Sequence, residues 1–436
     1  MTEKFVPSPE LAEQGLYVAY AALSTMAVVP IYFGSFASLK KWKNPKDKKS
    51  KKKKPEDSDD SSDEDEPSES MSMEDAYMFP VFGSITLFGL YLVFRFVDKT
   101  YVNYLLTAYF GLLGVMATTQ VGVNCVAPIV KLVGINVDKW HLTLTKKRKE
   151  LYSAKFTILH LIMMVASVLL SAYYVATKNW IASNLFGICF ALNAIQLLSL
   201  DSFKTGMILL SGLFLYDIFW VFGTEVMVSV AKNFDAPVKV IFPRLFFGLP
   251  AGEAYQFAML GLGDIVIPGV FVALCLRFDQ HLAGTKNPNL GRSTRFSKPY
   301  FTACFIAYAL GLGTTIYVMH TFKAAQPALL YLSPACILSV IFMGLVRGEI
   351  KQVFAYTSEE GIEAAKAKEA EEKKNKKEAE EKKKKESSPS TTKVPALVKE
   401  DSTVAEKNSS NSDSEQESNS TRKTRKRRGG KSQKKK

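Results

Sequence analysis

Apolar runs long enough to cross a bilayer recur along most of this 436-residue chain, and charged residues crowd the gaps between them. A helix rises about 1.5 Å per residue, so roughly twenty apolar residues span a hydrocarbon core about 30 Å thick. Backbone amides and carbonyls find no water at that depth, which leaves the helix as the unit such runs can form. Nine runs qualify: Gly15–Leu39, Ala76–Phe96, Tyr101–Pro128, Phe156–Thr177, Trp180–Leu200, Thr205–Gly223, Gln256–Leu276, Tyr300–Phe322 and Pro327–Val346. The expected fold is therefore an all-α polytopic membrane protein with nine transmembrane helices.

The gaps set the orientation. Lys40 to Lys54 holds ten lysines and is followed by an acidic Ser/Asp/Glu run to Asp75, a composition expected to stay disordered. Loops after the first, third, fifth and seventh runs carry ten, seven, one and five Lys/Arg; those after the second, fourth, sixth and eighth carry one, one, three and one. The positive-inside rule then puts the odd loops and the C-terminus in the cytosol and residues 1–14 on the luminal side. Those residues start acidic and lead into a long run, so 15–39 reads as an uncleaved first span. The organisation follows: luminal 1–14, a span over 15–39, a charged cytosolic loop over 40–75, spans two to five over 76–200, spans six to nine over 205–346, and a charged, largely disordered cytosolic tail over 347–436. Within the tail, Glu359 to Lys385 suits a solvated helix through i,i+4 pairs. The clusters Arg422 to Arg428 and Lys434 to Lys436 suit an anionic lipid surface or a cytosolic partner. The formal charge of +14 thus reports topology before any ligand. Five cysteines lie in or beside apolar runs as small fillers, without CxxC or metal spacing. HExxH is absent as well, and neither a metal nor a cofactor is expected.

Two of the runs each carry one acid among Leu, Ile, Phe and Val: Asp217 and Asp264. An ionised carboxylate near the bilayer centre costs about 2.5–3.5 kcal/mol, and such residues usually serve function. Asp217 lies twelve residues into its run, roughly 18 Å deep, which leaves about 12 Å to the far side. Asp264 lies eight residues into the returning run, roughly 12 Å from that side. Their depths match, so the two acids can meet. Unrelated helix-end acids, or an ion site in a transporter or channel, remain open on chemistry alone. Between the two runs, Val238 to Phe247 is rich in β-formers. It suits either an interfacial loop or an edge that pairs with an unwound substrate strand. Asn193, Gln196 and Asp201 read as interhelical hydrogen-bond or interface residues.

Three motifs now line up. Phe214-Leu-Tyr-Asp217-Ile-Phe-Trp-Val-Phe-Gly223 resembles the YD segment of the signal peptide peptidase family, Gly261-Leu262-Gly263-Asp264 its GxGD motif, and Gln326-Pro327-Ala328-Leu329 its PAL motif. The resemblance covers roughly residues 15–347. It implies a presenilin/signal peptide peptidase-like fold and an intramembrane aspartyl endopeptidase with Asp217 and Asp264 as the catalytic pair. Tyr216, Gly261, Leu262, Gly263, Gln326, Pro327, Ala328 and Leu329 are carried over as substrate-side residues. Presenilin shares the motifs but runs its active-site helices the opposite way; the charge bias here favours signal peptide peptidase. The resemblance also implies the endoplasmic reticulum membrane. Its implied partners are signal peptides and other type II-oriented transmembrane helices, and it is compatible with a homo-oligomer. Outer N-termini in the family carry glycosylation sites, whereas this one has no N-x-S/T, a departure that leaves activity untouched. Chemically, two carboxylates about 3 Å apart share one proton, one serving as base on a water and the other as donor to the peptide carbonyl. Gly261 and Gly263 suit either close backbone approach before Asp264 or tight packing against a neighbouring helix.

If the tail is cytosolic, the sequons at Asn408 and Asn419 stay unmodified. Endoglycosidase treatment of cell-made protein should leave the mobility of the C-terminal fragment unchanged, and a downward shift would reverse the orientation.

Overall fold

The computed structural model describes residues 9–40, 69–134, 139–146, 149–224, 226–233, 236–245, 255–287, 295–322, 326–358 and 361–362. All of these lie within one compact unit, Met1–Lys374. In chain order the elements are α1 (Pro9–Ala37), β1 (Glu69–Met71), α2 (Met73–Phe96), α3 (Lys99–Leu132), β2 (Lys139–Lys146), β3 (Lys149–Thr157), α4 (Ile158–Thr177) and α5 (Trp180–Leu197). There follow β4 (Leu198–Leu200), α6 (Phe203–Phe222), α7 (Val226–Asn233), β5 (Lys239–Pro243), β6 (Phe257–Gly261), α8 (Gly263–Lys286), α9 (Pro299–Phe322), α10 (Leu329–Val346) and α11 (Ile350–Ala355). Among the described residues, nine helices are long and apolar enough to cross a membrane. Polar residues mark where several of them start. Ser72 and Asp75 form a capping box on α2, Asn179 accepts the Ile181 amide on α5, and Ser202 accepts the Thr205 amide on α6.

Helix α8 is the hub. Of its apolar window 78% is buried, against 6% for α2, which faces outward. Around α8 pack α1, α5, α6, α9 and α10, and their side chains form one continuous apolar core. Two glycines allow close approaches at α8. A Cβ on Gly206 of α6 would lie 2.6 Å from the Phe271 ring of α8, and one on Gly269 of α8 would lie 2.7 Å from Ile195 of α5. Small residues at such crossings let helices meet over their backbones. Cys275, Cys304 and Cys336 are buried where α8, α9 and α10 meet, and behave as small apolar packing residues.

Several boundaries differ from expectation, for physical reasons. The seventh span is not a helix from Gln256: Phe257–Gly261 forms β6, paired antiparallel with β5, and the helix starts only at Gly263. Five residues of strand cover about 16 Å where five of helix rise about 7.5 Å, so the helical depth count does not carry over to this stretch. At its other end α8 runs ten residues past Leu276, through Arg277, Asp279 and Gln280. Those polar groups are buried because each finds a partner: Arg277 reaches Ser38 Oγ at 3.4 Å and the Leu198 carbonyl at 3.3 Å, and Gln280 reaches the Lys40 carbonyl at 2.9 Å. The charged loop ends early, because Glu69–Met71 pairs parallel with β4, which in turn shortens the fifth span to Leu197. The third loop contains the β2–β3 hairpin, so the fourth span starts at Ile158. The first helix reaches back to Pro9, into the segment expected to lie outside the span.

Beyond Val346 the chain stays docked, where a disordered tail was expected to begin. Arg347 and Tyr300 both reach Glu349 Oε2 at 3.0 Å. Burial acts to raise the Glu349 carboxyl, but the hydrogen bonds from Arg347 and then Tyr300 hold it below the usual carboxylate range. The Tyr356 ring packs tilted against Phe203 and edge-on against Phe278, and the Ser358 amide donates to the Asp201 carbonyl at 2.7 Å. Asn193 donates to the Ala117 carbonyl of α3 at 3.0 Å, an interhelical tie, whereas the Asp201 carboxylate accepts locally from the Thr205 hydroxyl. The disorder expected over 41–68, and the solvated helix and basic clusters expected beyond 362, lie outside the described residues.

Asp279 is 1% exposed, and its two oxygens accept the Tyr300 and Phe301 amides at 3.4 and 2.9 Å at the start of α9. Hydrogen bonds to a charged group contribute about 1.5–3 kcal/mol. Asp279→Ala should therefore lower the thermal midpoint of the detergent-solubilised protein by several degrees, read from a melt of tryptophan emission.

Candidate active site

Asp217 sits on α6, 5% exposed. Its Oδ2 accepts the backbone N–H of Leu329 at 3.3 Å. Leu329 opens α10, and the residue before it, Ala328, has no side-chain acceptor for the free amides of the first turn. The carboxylate of another helix fills that role. A helix N-terminus carries partial positive charge, so it is a favourable seat for an acid. Pro327 fits just ahead, where a missing N–H costs nothing, and its carbonyl accepts the Leu330 amide at 3.3 Å. Pro327, Ala328 and Leu329 are all buried, and Gln326 is half-buried beside them.

Asp264 stands in the first turn of α8, half-buried, immediately after the β6 strand. The Leu262 amide donates to the Val238 carbonyl at 2.9 Å, continuing the β5–β6 ladder one step beyond the strands. The ladder thus fixes the backbone into which Asp264 is set. A Cβ on Gly261 would lie 3.3 Å from Asp264 Oδ2, whereas Gly263 has open space. The two carboxylates interact electrostatically with each other. The structure thus sets Asp217 against the Pro327–Leu329 turn and Asp264 against Gly261. The Tyr216 ring packs 3.6 Å from where a Cβ on Gly83 of α2 would be and neighbours Trp220, while Leu262 packs toward Gly187 of α5. Among the described residues, no group of three His, Cys, Asp or Glu is placed to hold a metal ion.

Two groups escape a motif reading. They are Asp279 of α8 and Tyr308 of α9. Tyr308 is fully buried and donates its hydroxyl to the Asp264 carbonyl at 3.3 Å. A cavity of about 420 Å3 opens between α2 and α6, lined by Pro80, Met207, Ser211, Gly212 and Leu215 among others. Its floor is the same helix that carries Asp217.

The signal peptide peptidase profile matches residues 62–360. The chain belongs to the signal peptide peptidase family. It is 39% identical over 381 residues to a Homo sapiens protein named signal peptide peptidase, covering 83% of this chain and 92% of the human one. Against the Mus musculus protein of the same name the identity is 41% over 385 residues, 83% of this chain and 93% of that one. A probable intramembrane protease of Schizosaccharomyces pombe is 37% identical over 298 residues, 67% of this chain and 87% of its own. Signal peptide peptidases are intramembrane aspartic peptidases acting on transmembrane peptides within the bilayer, so this chain is a multi-pass membrane protease.

For a signal peptide peptidase with this geometry the two glycines of the GxGD motif are unequal. Gly261→Ala crowds the Asp264 carboxylate and should cut the cleavage rate at least tenfold. Gly263→Ala meets no neighbour and should keep activity within about threefold. Initial rates on a synthetic transmembrane peptide in micelles distinguish them.

Proposed function

We propose that Asp217 and Asp264 are the catalytic pair, and that the enzyme cuts signal peptides and other type II-oriented transmembrane helices. The observation that carries this reading is the Asp217 carboxylate held at the α10 N-terminus, within electrostatic range of Asp264 in an otherwise apolar core. Two such acids hold one proton between them. The ionised one takes a proton from water as the water oxygen bonds to the peptide carbonyl carbon. The protonated one gives its proton to the carbonyl oxygen. Collapse of the tetrahedral species passes a proton to the leaving nitrogen and frees both products. Low dielectric around the site strengthens every one of these interactions.

The peptide bond must first leave its helix. The β5–β6 ribbon supports an extended seat for it. Its β5 edge is closed at Ile241, where the Asn184 amide of α5 both donates to the carbonyl at 2.6 Å and accepts from the N–H at 2.8 Å. The edge left for an incoming strand is that of β6, which ends at Gly261, three residues before Asp264. The cavity between α2 and α6 offers an apolar approach from lipid. Gln326, Pro327, Ala328 and Leu329 shape the opposite side, and Tyr216 backs the α6 wall.

The names of the human and mouse relatives, together with the Lys/Arg bias of the loops, support an endoplasmic reticulum enzyme with a luminal N-terminus and a cytosolic C-terminus. In this orientation Asp217 lies on an outward-running helix and Asp264 on an inward-running one, opposite to presenilin. The basic tail engages anionic lipid or a cytosolic partner, and assembly into a homo-oligomer is compatible with the wide apolar surface.

Asp217→Asn and Asp264→Asn should each reduce cleavage of a type II peptide by at least 10³-fold in reconstituted vesicles. Mass spectrometry of the products reads the outcome, and either variant still cutting at a rate near that of the parent protein refutes the pair.

A further inference from the structure

We propose that Tyr308 is a positioning residue for Asp264, supplying the hydrogen bond that the helix itself cannot make to that residue's main chain. The inference rests on Asp264 being one of the catalytic pair. In a regular helix the carbonyl of residue i accepts from the N–H of residue i+4. For Asp264 that residue is Pro268, which has no N–H, and whose ring crowds the carbonyl four residues before it. The Asp264 carbonyl therefore loses its intrahelical donor at the second position of α8. The Tyr308 hydroxyl of α9 donates to it at 3.3 Å.

The need is mutual. Tyr308 has no exposed surface and sits among core residues, where a buried hydroxyl requires a partner. Pro268 is also buried. Tyr308 is in turn placed by α9, whose start is held by Asp279 of α8. Helices α8 and α9 are thus tied at two levels: through Asp279 at the end remote from the site, and through Tyr308 at the backbone of Asp264 itself. The ligature fixes the φ/ψ of the reacting residue. Its loss lets the carboxylate wander from its partner while the substrate seat on β6 stays intact. The signature is a loss of kcat with KM unaffected, because only the placement of the reacting group changes.

The test uses the purified full-length protein in micelles and a synthetic type II transmembrane peptide. Tyr308→Phe deletes only the hydroxyl and should lower kcat about tenfold with KM within about twofold. Pro268→Ala restores an amide N–H four residues after Asp264. In the Pro268→Ala background, Tyr308→Phe should then cost less than about threefold, a coupling that a pure packing role does not produce. An equal loss in both backgrounds overturns the proposal, as does an unchanged kcat or a loss confined to KM. If the double variant does not fold, the kcat-against-KM split of Tyr308→Phe decides alone. Asp264→Ala is run beside them. Full cleavage by that variant removes the catalytic pair and this proposal together, whereas a dead Asp264→Ala with a fully active Tyr308→Phe removes only the positioning role.

Discussion

An acid side chain buried in an apolar bundle has to be stabilised by something, and for Asp217 that something is the open end of another helix. α10 begins at a residue whose predecessor, Ala328, has no side-chain oxygen, so the first-turn amides look outward for an acceptor. The carboxylate of α6 supplies it. The exchange is favourable on both sides, since an anion at a helix N-terminus gains about 0.3–1 kcal/mol at the surface and up to about 2 when partly buried. Placing Asp217 and starting α10 are therefore one event, and the Pro-Ala-Leu turn is the shape that permits it.

The same device recurs at the other end of the bundle. Asp279 of α8 receives the first amides of α9, and around it Arg277, Gln280 and Glu349 each reach a carbonyl, hydroxyl or counter-charge on a different element. Membrane helices gain little from burying apolar surface against each other, because lipid is as apolar as a neighbouring leucine. Polar ties such as these, with close approaches at Gly206 and Gly269, carry a larger share of the specificity. They explain how α8 can be the most buried helix and also one of the most polar.

The ribbon before α8 answers a different requirement. A protease that works on helices needs somewhere for an extended segment to lie, and needs its own backbone rigid at the same place. Pairing of β5 with β6, closed on one edge by Asn184, gives Asp264 a fixed base with a single strand edge beside it. Hydrophobic content alone points to a helix through Phe257–Gly261, because a five-residue apolar stretch reads the same in either conformation. The partner strand, fourteen residues earlier at its nearest, resolves the ambiguity.

Much of this protein is written locally. Run lengths determine the helices, Lys/Arg placement proposes an orientation, and the acids at positions 217 and 264 with the GxGD and PAL motifs mark the site, because each of those signals depends only on neighbours along the chain. Tertiary structure alone decided which amide Asp217 would cap, that α8 would start after a strand and continue past Arg277, and that Tyr308 would reach the carbonyl orphaned by Pro268. Those outcomes depend on hydrogen bonds between residues up to 240 positions apart. Such bonds cannot be read from composition, since a buried polar group is tolerated only when its partner arrives, and the partner's arrival is a property of the fold.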